Sequence, residues 1–396
     1  MRIVVIGAKG LPPKQGGIEH YCAEVYPRMV AQGHTVDLYA RCSYTESSWI
    51  DHYDFQGVRV TSLPGLELRG VDAFITSALG AIATTGNKYD IAHFHALGPS
   101  LFTGLARITS PAKVVVTCQG LDWQRAKWGS FSTQLIHLGE KAAVRFAHGI
   151  IVVSDALKSY FLQTYGRETI YIPNAPACYG ESDPNFTYGT QLGLEPGRYI
   201  LFVGRLVPEK RPDLLVEAFS TLKPKGWKLV IAGGVSDTRS FTAKLLEKIA
   251  SNRDIVFAGE LRGPRLWEIV RGAGLFVLPS DLEGLPLVML EAMQEGIPVL
   301  GSDIPPHQQL ISRGRGMLFE AGNLDSCVRS LDWAIHHPTA MAAMAQKAQK
   351  HVQLYYSWDR ITSETLKLYT SLLNLPESVD IRQPSSTKLA GIVSKE

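Results

Sequence analysis

What most limits the folding of this chain is a series of short, almost continuously apolar runs rich in Val and Ile. They are spaced by stretches long enough to hold a helix. In the first half the runs are Arg2–Ala8, Thr35–Ala40, Val58–Leu63, Ile91–His95, Lys113–Cys118, Gly149–Val153 and Thr169–Ile172. A strand covered on both faces of a parallel sheet needs apolar side chains at successive positions rather than at alternate ones. Most of the gaps can accommodate a right-handed crossover helix. The rhythm restarts with Tyr199–Val203, Lys228–Ala232, Ile255–Ala258, Leu275–Leu278, Pro298–Leu300 and Gly316–Phe319, with helices expected at Asp213–Leu222, Ser240–Ser251 and Pro286–Glu295. Between the two series, Ala175 to Gly197 is rich in Pro, Gly, Asn, Ser and Asp and reads as a linker. Two doubly wound α/β domains facing each other across a cleft are expected. Ligands should bind outside the carboxyl ends of the strands.

Composition agrees with this class. Of 396 residues, 45% are apolar and 19% charged, as in ordinary globular proteins. Lys plus Arg number 40 against 37 Asp plus Glu, a balance that argues against dedicated nucleic-acid binding. No run reaches the roughly 20 apolar residues needed to span a bilayer. The nearest, Val71 to Gly86, carries Asp72, Thr76, Ser77, Thr84 and Thr85. Met-Arg-Ile-Val-Val-Ile-Gly at the start, followed by Lys9 and Lys14, reads as a buried strand rather than an export signal. The five cysteines (Cys22, Cys42, Cys118, Cys178, Cys327) are too scattered for a zinc site or a disulfide framework, so a reduced, cytoplasmic setting is expected.

The chemistry concentrates in the second half. Tyr199–Val203 runs into Gly204-Arg205, and Lys210 follows five residues after Arg205. An arginine can fork onto two phosphate oxygens, and a lysine adds a mobile point charge. After Leu275–Leu278 comes Pro279-Ser280-Asp281-Leu282-Glu283-Gly284-Leu285-Pro286, then a helix holding Glu291. Gly284 and Pro286 suit a tight strand-to-helix turn whose free N–H groups favour an anion. Glu283 lies in the loop and Glu291 on the helix, so the pair would bracket a ligand rather than chelate one ion.

Gly204-Arg205, Glu209-Lys210, and Glu283 with Glu291 at E-x₇-E spacing resemble the nucleotide-sugar site of family 4 retaining glycosyltransferases, which have the GT-B fold. The resemblance extends over nearly the whole chain: Gly16-Gly17-Ile18-Glu19, Gly33-His34-Thr35-Val36, Ile172-Pro173-Asn174 and Tyr356-Ser357-Trp358-Asp359 occur in the family's order. It implies a nucleotide-diphosphate-sugar donor and no metal or other cofactor. Arg205 and Lys210 would neutralise the departing diphosphate, and no Asp-x-Asp pair is present to hold a metal instead. Glu291 would take the ribose hydroxyls. Glu283, with the N–H groups of Gly284 and Leu285, would hold the transferred sugar, and the base would lie near Glu260 and Leu261. Gly16 and Gly17 would approach the donor phosphates. The implied division is an acceptor-side Rossmann-like domain at 1–175, a linker at 176–197 and a nucleotide-sugar domain at 198–356. A helix at 357–375 would cross back to the first domain, leaving a disordered tail at 376–396.

In the first half, Lys113–Cys118 ends in Gln119-Gly120-Leu121-Asp122-Trp123. Many relatives carry histidine at the position of Gln119, which cannot titrate, so a proton route through an imidazole there is excluded. In the front-face route generally proposed for the family, the departing phosphate itself takes the acceptor's proton. Asp122 is either a helix cap or an acid that orients the acceptor. His93 and His95 alternate on one strand and so share a face; His95, nearer the carboxyl end, is expected to line the acceptor cleft. Glu19 reads as a first-turn acid rather than a catalytic one. Lys9 and Lys14 face either phosphate or, as the preferred reading, solvent. Trp123, Arg125, Lys127 and Trp128 make a basic aromatic cluster that suits either ordinary packing or peripheral contact with an anionic membrane at the inner face of the cell.

Ile91–Ser100 and Gly120–Trp128 look most like bacterial enzymes of cell-surface polysaccharide assembly, which implies a glycan or lipid-linked glycan acceptor. Two other readings compete: a nucleotide-sugar 2-epimerase of the same architecture, which needs no acceptor, and a non-enzymatic two-domain sugar-binding module. The latter has no use for Arg205, Lys210, Glu283 and Glu291 at one strand-end cleft.

Overall fold

The structure, a computed structural model, describes residues 1–13, 16–45, 51–65, 71–86, 89–124, 129–234 and 238–374. Lys14, Arg125, Lys127, Trp128 and the expected tail therefore lie outside the described residues.

The first series of runs forms β1 (Arg2–Ile6), β2 (Thr35–Arg41), β3 (His52–Phe55), β4 (Val58–Leu63), β5 (Ile91–His95), β6 (Lys113–Cys118), β7 (Gly149–Val152) and β8 (Ile170–Tyr171). They make one sheet in the order β3-β4-β2-β1-β5-β6-β7-β8. Every neighbouring pair is parallel except β3 with β4, a hairpin at the edge that the apolar pattern did not predict. The second series forms β9 (Tyr199–Val203), β10 (Lys228–Ala232), β11 (Ile255–Gly259), β12 (Leu275–Leu278), β13 (Val299–Ser302) and β14 (Met317–Phe319), an all-parallel sheet ordered β11-β10-β9-β12-β13-β14. In that sheet the winding direction reverses between β9 and β12. This is the switch point where a crevice opens at the carboxyl ends of the strands. The loops after β9 and β12 are the ones that carry Arg205, Lys210 and Glu283.

Side chains of β1 divide between two apolar clusters. Ile3 and Val5 pack with Tyr21, Tyr26 and Met29 of helix Gly17–Ala31 and with Tyr369 of helix Trp358–Asn374. Val4 and Ile6 pack on the other face with Ala81, Ala106, Ile136 and Ala143. The final helix crosses back onto the first sheet as expected. The Trp358 indole donates to the Pro176 carbonyl at 3.1 Å and meets Tyr21 edge-on, while Arg28 pairs with Asp359 at 2.9 Å. Within the expected linker, Thr187–Gln191 is helical, and the Gly189 N–H donates to Glu268 at 2.8 Å.

One site expectation fails here. His93 and His95 do share a face, but it is the face that these two helices cover, and both side chains are fully buried. His95 Nε2 lies 2.7 Å from the Tyr26 hydroxyl, and the two imidazoles stack at 4.3 Å. His93 also meets Tyr369 at 2.6 Å and Thr117 at 2.7 Å. Burial pushes His95 down to about 3, so it stays neutral. His95 knits the first sheet to helix Gly17–Ala31, as His93 does to the final helix, and does not line the acceptor cleft.

Trp123 is also an anchor. Its indole stacks on His137 at 4.2 Å and donates to Glu140 at 2.9 Å. Glu140 is fully buried and also accepts from Tyr160 at 2.7 Å and from Tyr165. This buried carboxylate, with three neutral donors, fixes the turn Asp122–Gln124 against helix Ser130–Phe146. Trp123 therefore belongs to the packing reading of the basic aromatic cluster. No helix among the described residues is long and apolar enough to cross a membrane.

Candidate functional site

Gly204 follows β9 with its N–H on the Ala232 carbonyl at 3.0 Å, and the chain then turns through Pro208–Lys210. Arg205, the first side chain past that glycine, is exposed. Lys210 reaches across to the loop after β12 and pairs with Glu283, and both side chains are largely covered. A parallel link joins Arg211 to Asp281 at 3.0 Å, and the Asp281 N–H donates to the Glu209 carbonyl at 2.9 Å. The two loops at the switch point are thus clamped to each other.

Glu283 is held from below by groups that motif reading did not find. The Ser280 hydroxyl donates to Glu283 at 2.9 Å, and Ser302 donates to the Ser280 carbonyl. Fully buried His307 rests its Nδ1 against Ser302, at 3.0 Å from its carbonyl and 3.1 Å from its hydroxyl. Burial pushes the Glu283 carboxyl up, but the Lys210 ammonium and its hydrogen bond outweigh that, and the net position is below the ordinary carboxylate value. Burial pushes His307 down to about 4, so it is neutral and the Lys210 charge dominates. Glu283 is therefore a carboxylate at neutral pH, able to accept hydrogen bonds from a sugar.

Gly284 needs the absence of a side chain. A Cβ there would overlap the carbonyl oxygen of Gln119 and lie 3.3 Å from the Cα of Gly120. This contact brings the loop after β12 directly onto the loop after β6. Leu285 packs against both apolar clusters. Gln119 itself is locked: Asn174 Nδ2 donates to its Oε1 at 2.6 Å, and its Nε2 donates back at 3.4 Å. Asp122 opens the short turn two residues beyond Gly120, with its N–H on the Gly120 carbonyl at 3.0 Å.

The Gly16-Gly17 turn approaches from above β1. A Cβ on Gly17 would lie 3.1 Å from Leu287, at the start of helix Leu287–Gln294. Glu19 is buried and accepts the Lys9 N–H at 2.9 Å, so it braces the glycine turn against the loop after β1. Lys9 is partly buried, with its ammonium 5.1 Å from the centroid of the Tyr44 ring, rather than simply solvated.

Glu291 sits on the second turn of helix Leu287–Gln294 and accepts from the Tyr179 hydroxyl at 3.0 Å. Tyr179 stacks on Trp267. Burial pushes the Glu291 carboxyl up to about 7, with the Tyr179 hydrogen bond and the Ala177 N–H opposing it. Glu260 follows β11, exposed and paired with Arg262 at 2.7 Å, and Leu261 is half-buried beside it. A Cβ on Gly234 would lie 3.0 Å from Glu260, and one on Gly233 would overlap the Gly204 carbonyl. Gly233-Gly234, at the carboxyl end of β10, thus joins the strand-end rim. A glycine pair directly after an apolar run was the available signal. An approximately 960 Å³ concavity lined by Arg198, Lys223, Trp227 and Asp254 lies at the amino ends of β9 to β11, away from these groups.

A carboxylate near 7 gives a signed expectation. If Glu291 takes the ribose hydroxyls, as the resemblance implies, its protonation below that pH removes a charge-assisted acceptor, and donor-nucleotide affinity should fall as pH drops through 7. Glu291→Gln will flatten the dependence in calorimetry between about pH 6 and 8. The linked stability has the opposite sense: it is present below the ordinary carboxylate value and lost as pH rises through 7.

The fold and this strand-end rim define a glycosyltransferase of the GT-B class. Residues 15–175 match the Glycosyltransferase Family 4 model, and residues 190–351 match the model for glycosyl transferases group 1. The chain belongs to family 4. It is 25% identical over 403 residues to the D-inositol 3-phosphate glycosyltransferase of Gordonia bronchialis, covering 94% of this chain and 87% of that one. It is 24% identical to the alpha-maltose-1-phosphate synthase of Mycolicibacterium smegmatis, covering 93% and 99%. Among solved structures, sucrose-phosphate synthase from Thermosynechococcus elongatus superposes with a TM-score of 0.78 at 19% identity, covering 94% of this chain and 98% of that one. Anabaena HepE in complex with UDP and glucose gives 0.75 at 18% identity, covering 94% and 100%.

Proposed function

We propose that this glycosyltransferase moves a sugar, with retention of anomeric configuration and without a metal ion, from a nucleotide-diphosphate donor to a hydroxyl of a glycan or lipid-linked glycan. The observation that carries this reading is the Lys210–Glu283 pair at the switch point, facing Gln119-Gly120 of the other sheet. Glu283, ionised and oriented by Ser280, accepts hydroxyls of the transferred sugar. Lys210, beside it, turns to the diphosphate, where Arg205 adds a second cation. Glu291 takes the ribose, and the N–H groups of Gly284 and Leu285 face the sugar. Gln119 offers an amide and no proton relay, so the acceptor's proton passes to the departing phosphate.

Cytoplasmic sugar nucleotides supply the donor in this reading. A thermal-shift panel of uridine, guanosine, thymidine and adenosine diphosphates should single out one base by a clear stabilisation. Incubating the matching donor alone, followed by proton NMR, then separates the chemistries. The transfer reading expects an unchanged donor until an acceptor is added. Conversion to an isomeric sugar nucleotide would assign an epimerase, and binding of free sugar without any nucleotide would assign a binding module.

A further inference from the structure

We propose that the outer surface of helices Val71–Ala83, Thr103–Thr109 and Ser130–Phe146 seats the enzyme on an anionic lipid bilayer. These helices cover one face of the first sheet, and their outward sides should be polar if they met only water. They are not. On Ser130–Phe146 the exposed residues Phe131, Gln134, Leu138, Lys141 and Arg145 recur at helical spacing and form one stripe, with Phe131 73% and Leu138 51% exposed. On Val71–Ala83 the outward residues Phe74 and Ile82 flank Ala78. On Thr103–Thr109 Leu105 and Ile108 point outward, and Ile108 is 80% exposed. The three surfaces are continuous. The Phe74 ring meets Phe102 edge-on at 5.0 Å, and Gly104 lies against the Phe146 ring, which a Cβ would approach to 3.1 Å.

Charge selects the occupant. The acids on these helices, Asp72 and Glu140, are both buried, whereas Lys141 and Arg145 are exposed and Arg107, half-buried and 3.1 Å from His148, lies at the rim. Apolar side chains ringed by cations match a bilayer with anionic headgroups. A second copy fits poorly, because a two-fold contact sets the same cations against each other with no exposed acid to meet them. The orientation is also productive. The turn Asp122–Gln124 is stapled to helix Ser130–Phe146 through Trp123, so a bilayer at Phe131 lies beside the acceptor side of the cleft. The proposal stands on this surface and holds whatever sugar or acceptor the enzyme uses.

Co-sedimentation of the full chain with phosphatidylcholine vesicles, with and without phosphatidylglycerol, tests it. The protein should pellet with the anionic vesicles and be largely released by high salt. Phe131→Gln with Leu138→Gln, and separately Lys141→Glu with Arg145→Glu, should each weaken binding by at least about tenfold, since each cation near such a surface is worth roughly fivefold. Leu354→Gln, on another exposed apolar residue, should change nothing. Each variant must keep its melting temperature and its nucleotide-induced shift, which separates loss of the surface from loss of the fold. The proposal is overturned if the wild type stays in the supernatant with anionic vesicles, or if both double variants pellet like the wild type. It is equally overturned if the wild type is a dimer that Phe131→Gln with Leu138→Gln turns into a monomer, which would assign the face to a second copy.

Discussion

Replacing Lys210 by alanine will lower kcat by about a hundredfold or more, while the donor's KM changes far less. The reason is where the ammonium sits. In the structure it is paired with Glu283 at the switch between β9 and β12, largely covered, and tied to the loop that follows β12. In the proposed reaction Arg205 supplies ground-state binding of the diphosphate, and an ammonium held beside Glu283 adds little to it. Its main effect comes as negative charge builds on the departing diphosphate, so the loss appears in turnover. The substitution also leaves the buried Glu283 carboxylate with Ser280 as its remaining hydrogen-bond partner in the clamp, so a modest drop in melting temperature accompanies it. Lys210→Arg keeps the charge with different reach and should recover part of the rate. A folded Lys210→Ala enzyme with near-normal turnover would remove the lysine from the chemistry.

Gly284→Ala is expected to be nearly as damaging, for a different reason. The new methyl group would overlap the Gln119 carbonyl, a backbone atom in a segment locked by Asn174 and by the stapled turn beyond it. Neither loop can yield cheaply, so overpacking costs about 1–3 kcal/mol. The loop after β12 must also retreat from the loop after β6, carrying Glu283 with it. Displacing catalytic groups by about 1 Å can cost a hundredfold in rate, so kcat should fall by roughly tenfold to a hundredfold. Gly33→Ala is the control: that glycine, unlike Gly284, has a left-handed backbone, but a Cβ there meets nothing, so any loss is in stability and not in turnover. Equal kcat values for the two variants would show that the Gly284 contact does not organise the site.

Much of the architecture was legible because parallel strands covered on both faces leave an unbroken apolar trace, which the runs at β1, β6, β9 and β12 all carry. His52–Phe55 left none: it is a short antiparallel edge strand whose residues are exposed or half-exposed. The clamp residues Lys210 and Glu283 were legible through spacing in two short loops. Their supports were not. Ser302, His307, Asn174 and Tyr179 come from other segments, and only the folded chain brings them near. His95 shows the limit most clearly. Strand alternation correctly put His93 and His95 on one face, but nothing local says that a helix more than two hundred residues later, carrying Tyr369, covers it. Likewise Trp123 belonged to a basic aromatic string in sequence, and the buried Glu140 turned it inward.

In the proposed reaction Arg205 and Lys210 take the place of a divalent metal under the departing diphosphate. Single-turnover transfer at saturating donor, run once in excess chelator and once in excess magnesium, tests this most directly. The wild type should react at the same rate in both, and Arg205→Ala with Lys210→Ala should be slower by well over a hundredfold in both. A wild-type rate that collapses in chelator and returns with magnesium would assign the leaving group to a metal, and a double variant that keeps the wild-type rate would remove both cations from the chemistry.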